Sequence, residues 1–287
     1  MKNFKILGII ALMAVIGFSM AACGDGGGNG NDNNGGYNNG GGGHWLYTKI
    51  TSYTVTDGVA GSVSSEIEYN WITYRYTSGT NYEYKYTTGS TTYHTTRNGQ
   101  TSVSTNETAA GTTTQTILYD LATGFSLKST TTDASGTTAE ILYTLQLLSD
   151  TGGVKTYKYY LTSTGGTESY TEYKIQNGRT LEAKSYANGV LISTVKYTYT
   201  NNTTQTSSYD ASNVLLYTST STTTNIRGKI NWTLTSLNYP SSPASNYSGT
   251  FEVVSDSNSA LVIRSKMFNA DNVLINQTDY HYKKISL

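Results

Sequence analysis

A single cysteine in 287 residues leaves no intramolecular disulfide, so any folded part must be held without a covalent cross-link of that kind. Prolines number two, Pro240 and Pro243, and both sit in Tyr239-Pro240-Ser241-Ser242-Pro243, so nothing else breaks regular pairing and the longest irregular connection is expected from Asn238 to Asn246. Charge is sparse at 13% and balanced, which excludes electrostatic recruitment of nucleic acid. The three histidines, His44, His94 and His281, join no HExxH or other close ligand cluster, so neither a metal nor another cofactor is expected. No GxSxG elbow singles out a serine, and the scattered GxG fragments have neither a strand before them nor a helix after them. Phe is scarce at 5 against 26 Tyr, while Thr and Ser crowd the chain from Thr48 to Thr278. Thr and Tyr favour pleated strands, and Tyr tolerates a wet face.

The one long apolar run, Ile6 to Met20, follows Lys2 and Lys5 and ends at Ala21-Ala22-Cys23. This is the anatomy of a signal peptide, and the run is too short to span a bilayer as a helix. Met20-Ala21-Ala22-Cys23 resembles the lipobox of bacterial lipoproteins, with Met where Leu is commonest. The resemblance implies cleavage between Ala22 and Cys23, a diacylglyceryl group on the Cys23 sulfur, acylation of the new amino terminus, and therefore a membrane as partner. That use of Cys23 removes it as a nucleophile. Loss of Lys2 and Lys5 leaves 17 basic against 19 acidic groups. Gly24 to Gly43 is almost wholly Gly and Asn, a composition that buries nothing and reads as a flexible tether of roughly 25 Å root-mean-square reach. The organisation expected is therefore a signal peptide over 1–22, a lipidated cysteine and tether over 23–43, and one folded domain over 44–287.

From His44 onward no helical spacing is sustained, whereas period-two alternation recurs. Tyr82, Tyr84 and Tyr86 oppose Glu83 and Lys85; Ile141, Tyr143, Leu145 and Leu147 share a face; so do Tyr157, Tyr159 and Leu161, then Val195, Tyr197 and Tyr199, then Ile230, Trp232 and Leu234. Between the runs stand tight-turn signals such as Ser78-Gly79, Thr88-Gly89, Asn98-Gly99, Asn177-Gly178 and Asn188-Gly189, which accept positive φ. The fold expected is all-β: a long antiparallel meander of about 18 strands joined by tight hairpins and curled into a sheet or barrel that hides its edges. Tyr186-Ala187-Asn188-Gly189-Val190-Leu191 looks like Tyr209-Asp210-Ala211-Ser212-Asn213-Val214-Leu215 and Phe268-Asn269-Ala270-Asp271-Asn272-Val273-Leu274. These turns resemble the YD (Rhs-like) and MORN-like hairpin repeats of bacterial surface proteins, which implies repeated hairpins rather than an activity. A lipid-facing barrel is disfavoured, because Asn201 to Ser208 offers no apolar residue for an outer face.

Three functional classes follow. The leading one is a lipid-anchored, non-catalytic binding or structural module of the cell envelope, at the outer membrane or cell surface, with a carbohydrate, lipid or protein ligand. The second is a carrier of hydrophobic cargo in a half-barrel. The third is an envelope glycoside hydrolase using Glu66 and Glu68, which share a strand face with Tyr69 and Trp71 nearby. The binding residues themselves stay unassigned, beyond the promise of the tyrosine rows. Lys155, Lys158 and Lys174 sit among tyrosines and are expected to hydrate the outer face or discourage edge pairing.

Overall fold

The computed structural model describes residues 44–165, 169–226 and 229–285. The expected signal peptide, Cys23 and the Gly/Asn tether lie outside the described residues, as do the side chains of His44, Ile230 and Trp232.

The alternating segments form nineteen strands. The first seven are β1 His44–Thr56, β2 Val59–Glu68, β3 Asn70–Ser78, β4 Asn81–Thr88, β5 Thr91–Asn98, β6 Thr101–Thr108 and β7 Gly111–Tyr119. Then come β8 Ser126–Thr132, β9 Thr138–Thr151, β10 Val154–Leu161, β11 Ser169–Gln176, β12 Arg179–Ala187 and β13 Val190–Thr200. The last six are β14 Thr203–Asp210, β15 Leu215–Ile226, β16 Lys229–Asn238, β17 Tyr247–Asp256, β18 Ala260–Phe268 and β19 Leu274–Ile285. From β3 to β19 each strand pairs antiparallel with the next, and β1 pairs with both β2 and β19. The meander thus curls into a nearly closed barrel with one unsealed seam.

The seam has a local cause. A single residue, Tyr69, separates β2 from β3, too little for a hairpin reversal, so the chain runs on in one direction from 59 to 78. Its first half pairs with β1 and its second half with β4. At the hand-over the Tyr69 amide donates to the Thr48 carbonyl at 2.8 Å, and the Trp71 indole N–H donates to the Tyr47 carbonyl at 2.7 Å. This through-running strand accounts for nineteen elements where about eighteen were expected.

The turns separate by chemistry. Asp57-Gly58, Asn177-Gly178 and Asn188-Gly189 have positive φ at both central residues, as type I′ hairpins require. At Gly89 and Gly99 only the glycine has positive φ, and the turn residues are Gly89-Ser90 and Gly99-Gln100, with Thr88 and Asn98 still in their strands. The turn pairs expected there are therefore displaced by one residue. The resembling turns are not all one structure. In Asp210–Val214 and Asn269–Val273 the first side chain accepts from the second and fourth amides after it, whereas Asn188-Gly189 is a plain two-residue turn. A matching copy unnoticed in the sequence is Asp133–Thr137, where Asp133 accepts from the Ser135 and Thr137 amides.

The proline-bearing connection runs from 239 to 246, around a short 3-10 turn, Pro243–Ser245. Beyond it β16 and β17 pair through only Ser236↔Ser248 and Leu237↔Tyr247. Gly249 allows that approach, since a Cβ there would lie 2.4 Å from the Leu234 carbonyl oxygen. Gly249→Ala is expected to prise β17 from β16 and cost about 2 kcal/mol, a typical overpacking penalty, read as a lowered urea midpoint.

The two faces of the sheet differ in kind. One carries Trp71, Tyr74, Tyr76, Tyr82, Tyr84, Tyr86 and Tyr93 in facing register, continued by Tyr157, Tyr159 and Tyr173 and closed by Leu261 and Ile263 against Tyr282 and Tyr280. The other carries cross-strand ion pairs: Arg75–Glu83 at 3.6 Å, Lys128–Glu140 at 2.5 Å, Lys174–Glu182 and Lys266–Glu252 at 2.9 Å. The Phe125 ring, before β8, reaches Tyr173 of β11 at 4.7 Å, although three strand spacings of about 4.8 Å separate those strands. Such reach makes the tyrosine face the concave one.

Candidate functional site

On the concave face, where the chain passes from β2 to β3, lies a cavity of about 450 Å³. Four rings line it, Tyr69, Tyr84, Tyr86 and Tyr93, with the single aliphatic Ile67. The polar lining is Thr88, Thr95, Ser104 and Asn106. The site is assembled by alternation: Tyr84 and Tyr86 are two apart on β4, Tyr93 stands opposite Tyr86 on β5, and Ser104 opposite Thr95 on β6.

The rings hold one another in place. Tyr84 and Tyr86 stack at 6.2 Å, Tyr86 and Tyr93 at 5.1 Å, and Trp71 leans on Tyr86 at 5.0 Å. Pairs of this kind contribute about 0.5–1.5 kcal/mol beyond the area they bury. Behind them Tyr69 meets Tyr47 edge-on at 4.6 Å. Burial, and secondarily the neighbouring phenols, push the Tyr86 hydroxyl well above the ordinary phenol range and raise Tyr69 as well, so both are neutral at physiological pH. Thr95 and Ser104 hydroxyls share a hydrogen bond of 3.0 Å.

His94, His281, Glu66 and Glu68, considered from the sequence, lie elsewhere. His94 meets Glu83 at 3.1 Å on the charged face. His281 sits 3.2 Å from the Thr51 hydroxyl, and burial, followed by the charge of Lys49, lowers its pKa. Glu66 accepts from Lys49 at 2.8 Å and from Thr51 at 3.1 Å, and these hydrogen bonds hold its pKa below the usual carboxylate range. A general acid requires the opposite shift. Glu66 and Glu68 do share the charged face, paired with Thr51 and Lys49, but Tyr69 lines the cavity on the opposite side. The aromatic neighbours of the expected hydrolase pair therefore stand across the sheet from it. Among the described residues no group of three His, Cys, Asp or Glu side chains is placed to hold a metal ion.

Of the lysines, Lys174 pairs with Glu182, and Lys158 lies over the Tyr170 ring at 4.1 Å, both on the charged face. Lys155 differs from them: three residues before Lys158 on one regular strand, it shares the face of Tyr157 and stands 3.9 Å from Asp150. The outer-face expectation is corrected for that residue. On the charged face Tyr170 and Tyr186 stack at 4.5 Å, and burial, then Glu172, pushes the Tyr186 hydroxyl up to about 12.

The most complete polar network is also on the charged face. Arg264 donates two hydrogen bonds of 2.7 Å to the Asp279 carboxylate, and the Tyr53 hydroxyl donates a third at 2.9 Å. Asp279 is only 3% exposed. Every acceptor here has a donor, which marks a structural clamp joining β1, β18 and β19 rather than a group poised to react.

No family model and no curated protein matches this chain. Among solved structures it is similar to a porin-like protein from Bacteroides uniformis, at 17% identity and a TM-score of 0.34, over 82% of this chain and 95% of that one.

Proposed function

We propose that this chain is a lipid-anchored, non-catalytic binding module of the bacterial cell envelope, displayed at the outer membrane or cell surface, whose barrel presents its concave aromatic face to a ligand. The observation that carries the reading is the cavity framed by Tyr69, Tyr84, Tyr86 and Tyr93 on a rigid sheet, with hydroxyl and amide side chains converging beside the rings. Pockets of this size and make-up, mainly aromatic with a few fixed polar groups, are what ligand sites usually are. The ion-paired convex face favours a domain standing in water, because charges set against the middle of a bilayer cost about 2–4 kcal/mol each for Lys or Arg. A carrier of aliphatic cargo fits less well, since Ile67 alone offers an aliphatic wall.

The anchor rests on Met20-Ala21-Ala22-Cys23 and is tested by intact mass after expression in a bacterial host. The expected mass is that of the chain cut before Cys23 plus acyl chains, and Cys23→Ala is expected to abolish the acyl increment. An unmodified wild-type protein, in a host that processes a control lipoprotein, would remove the anchor from the proposal.

A further inference from the structure

Building on the reading of the concave face as a ligand surface, we infer that its cavity takes a neutral glycan segment, gripped by phenol hydroxyls and by the Thr88 and Asn106 side chains. Four features of the lining select that class.

First, no Lys, Arg, Asp or Glu lines the cavity, so a phosphate, carboxylate or ammonium group would lose water without gaining a counter-charge. Second, an acyl chain would cover four phenols, the Thr88 hydroxyl and the Asn106 amide while offering none of them a partner, and would leave Thr95 and Ser104 only each other; each polar group buried without a partner costs about 1–3 kcal/mol. Third, the alternation of ring and hydroxyl along β4 to β6 offers what a pyranose offers in return: apolar C–H patches beside a rim of hydroxyls that both donate and accept. Tyr69, only 7% exposed and packed edge-on against Tyr47, presents a fixed ring to the cavity. Fourth, the rings are immobilised before any ligand arrives by the stack of Tyr84, Tyr86 and Tyr93, so little side-chain entropy is lost on binding.

The test is isothermal titration calorimetry on the whole exported protein in detergent, with neutral hexasaccharides of the α-glucan, β-glucan, β-mannan and chitin types, beside dodecanoic acid. At least one hexasaccharide is expected to bind with a Kd between about 10 μM and 1 mM. The double variant Tyr86→Phe with Tyr93→Phe keeps both rings, hence the stacking and the fold, and is expected to weaken binding about tenfold or more. Asn106→Ala is expected to weaken it as well, and Tyr170→Phe on the convex face to leave it unchanged. Binding of dodecanoic acid without any saccharide would overturn the glycan assignment and leave a binding module for apolar cargo. Saccharide binding indifferent to both the Phe pair and Asn106→Ala would place the glycan elsewhere and overturn the assignment of this cavity. If none of the probes binds, both the glycan assignment and the ligand role of the cavity fall.

Discussion

Asp279→Asn is expected to lower the unfolding free energy by about 2–3 kcal/mol at pH 7, at the lower edge of what breaking a buried ion pair costs, because Arg264 keeps some access to water. The substitution preserves shape but removes the charge that accepts two bonds from Arg264 and one from Tyr53. Arg264 would then keep only Glu252, at 3.8 Å, as its charged neighbour among these groups. The exposed pair Lys49–Glu66 is the control, and Lys49→Ala should leave the urea midpoint essentially unchanged. The pH dependence follows from the direction of the shift. Burial raises the Asp279 pKa, but the hydrogen bonds from Arg264 and Tyr53 and the charge of Arg264 outweigh it, and the carboxyl ends below its ordinary value. A depressed carboxyl contributes its full stability above the unfolded-chain pKa, near 3.9, and loses it as pH falls through the folded value. The gap between wild type and Asp279→Asn, measured by urea unfolding, should therefore be constant from pH 7 to about pH 5 and narrow below about pH 4. A gap that widened on acidification would contradict this role for the carboxylate.

Leu261→Ala is expected to cost about 3 kcal/mol, within the usual range for deleting a fully buried Leu side chain. Leu261 and Ile263 are the largest fully buried side chains among the described residues, at 0% and 1% exposure, and they pack beside Tyr282 and Tyr280. Few other apolar side chains are as well covered, so each such site carries an unusual share of the stability. Leu147, on the same face but 52% exposed, should tolerate alanine at a cost below about 1 kcal/mol. The check is a shift in urea midpoint with an unchanged denaturant slope. Equal costs at the two positions would mean that the interior is more uniformly packed than the exposures indicate.

That contrast explains which parts of the architecture were legible in the sequence. Strands were legible because period two is local: Tyr82, Tyr84 and Tyr86 face one way whatever the rest of the chain does. Turns were legible because positive φ at Asn177-Gly178 or Asn188-Gly189 is a property of those residues. The frame of a turn was less so, since Asn98-Gly99 has the residues of a type I′ pair while the chain uses Gly99-Gln100. Asp133–Thr137 shares its first three residues with Asp210–Val214 and could have been found by comparing the turns directly.

Closure was not legible, because it depends on pairings such as His44↔Ile285 that leave no mark on local pattern. The clamp of Tyr53, Arg264 and Asp279 was hidden for the same reason. The cavity was half-visible. Its tyrosine row stood out in the sequence, but joining it to Ser104 and Asn106 required the register of β5 on β6, and joining it to Ile67 required the strand to run through Tyr69 instead of turning back. The pairing of Glu66 and Glu68 with Tyr69 and Trp71 failed at the simplest step, since residues an odd number apart along a strand face opposite ways.

The central claim is a water-standing β-domain tied to a membrane by lipid at Cys23, and membrane fractionation tests it most directly. Wild-type protein and Cys23→Ala, expressed in the same bacterial host, would be compared before and after an alkaline carbonate wash. The account predicts that the wild type stays with the membrane through the wash, while Cys23→Ala is recovered as a folded, soluble protein. A Cys23→Ala protein shown by intact mass to have lost residues 1–22, yet still membrane-integrated after the wash, would show that the barrel itself faces lipid and would contradict the account.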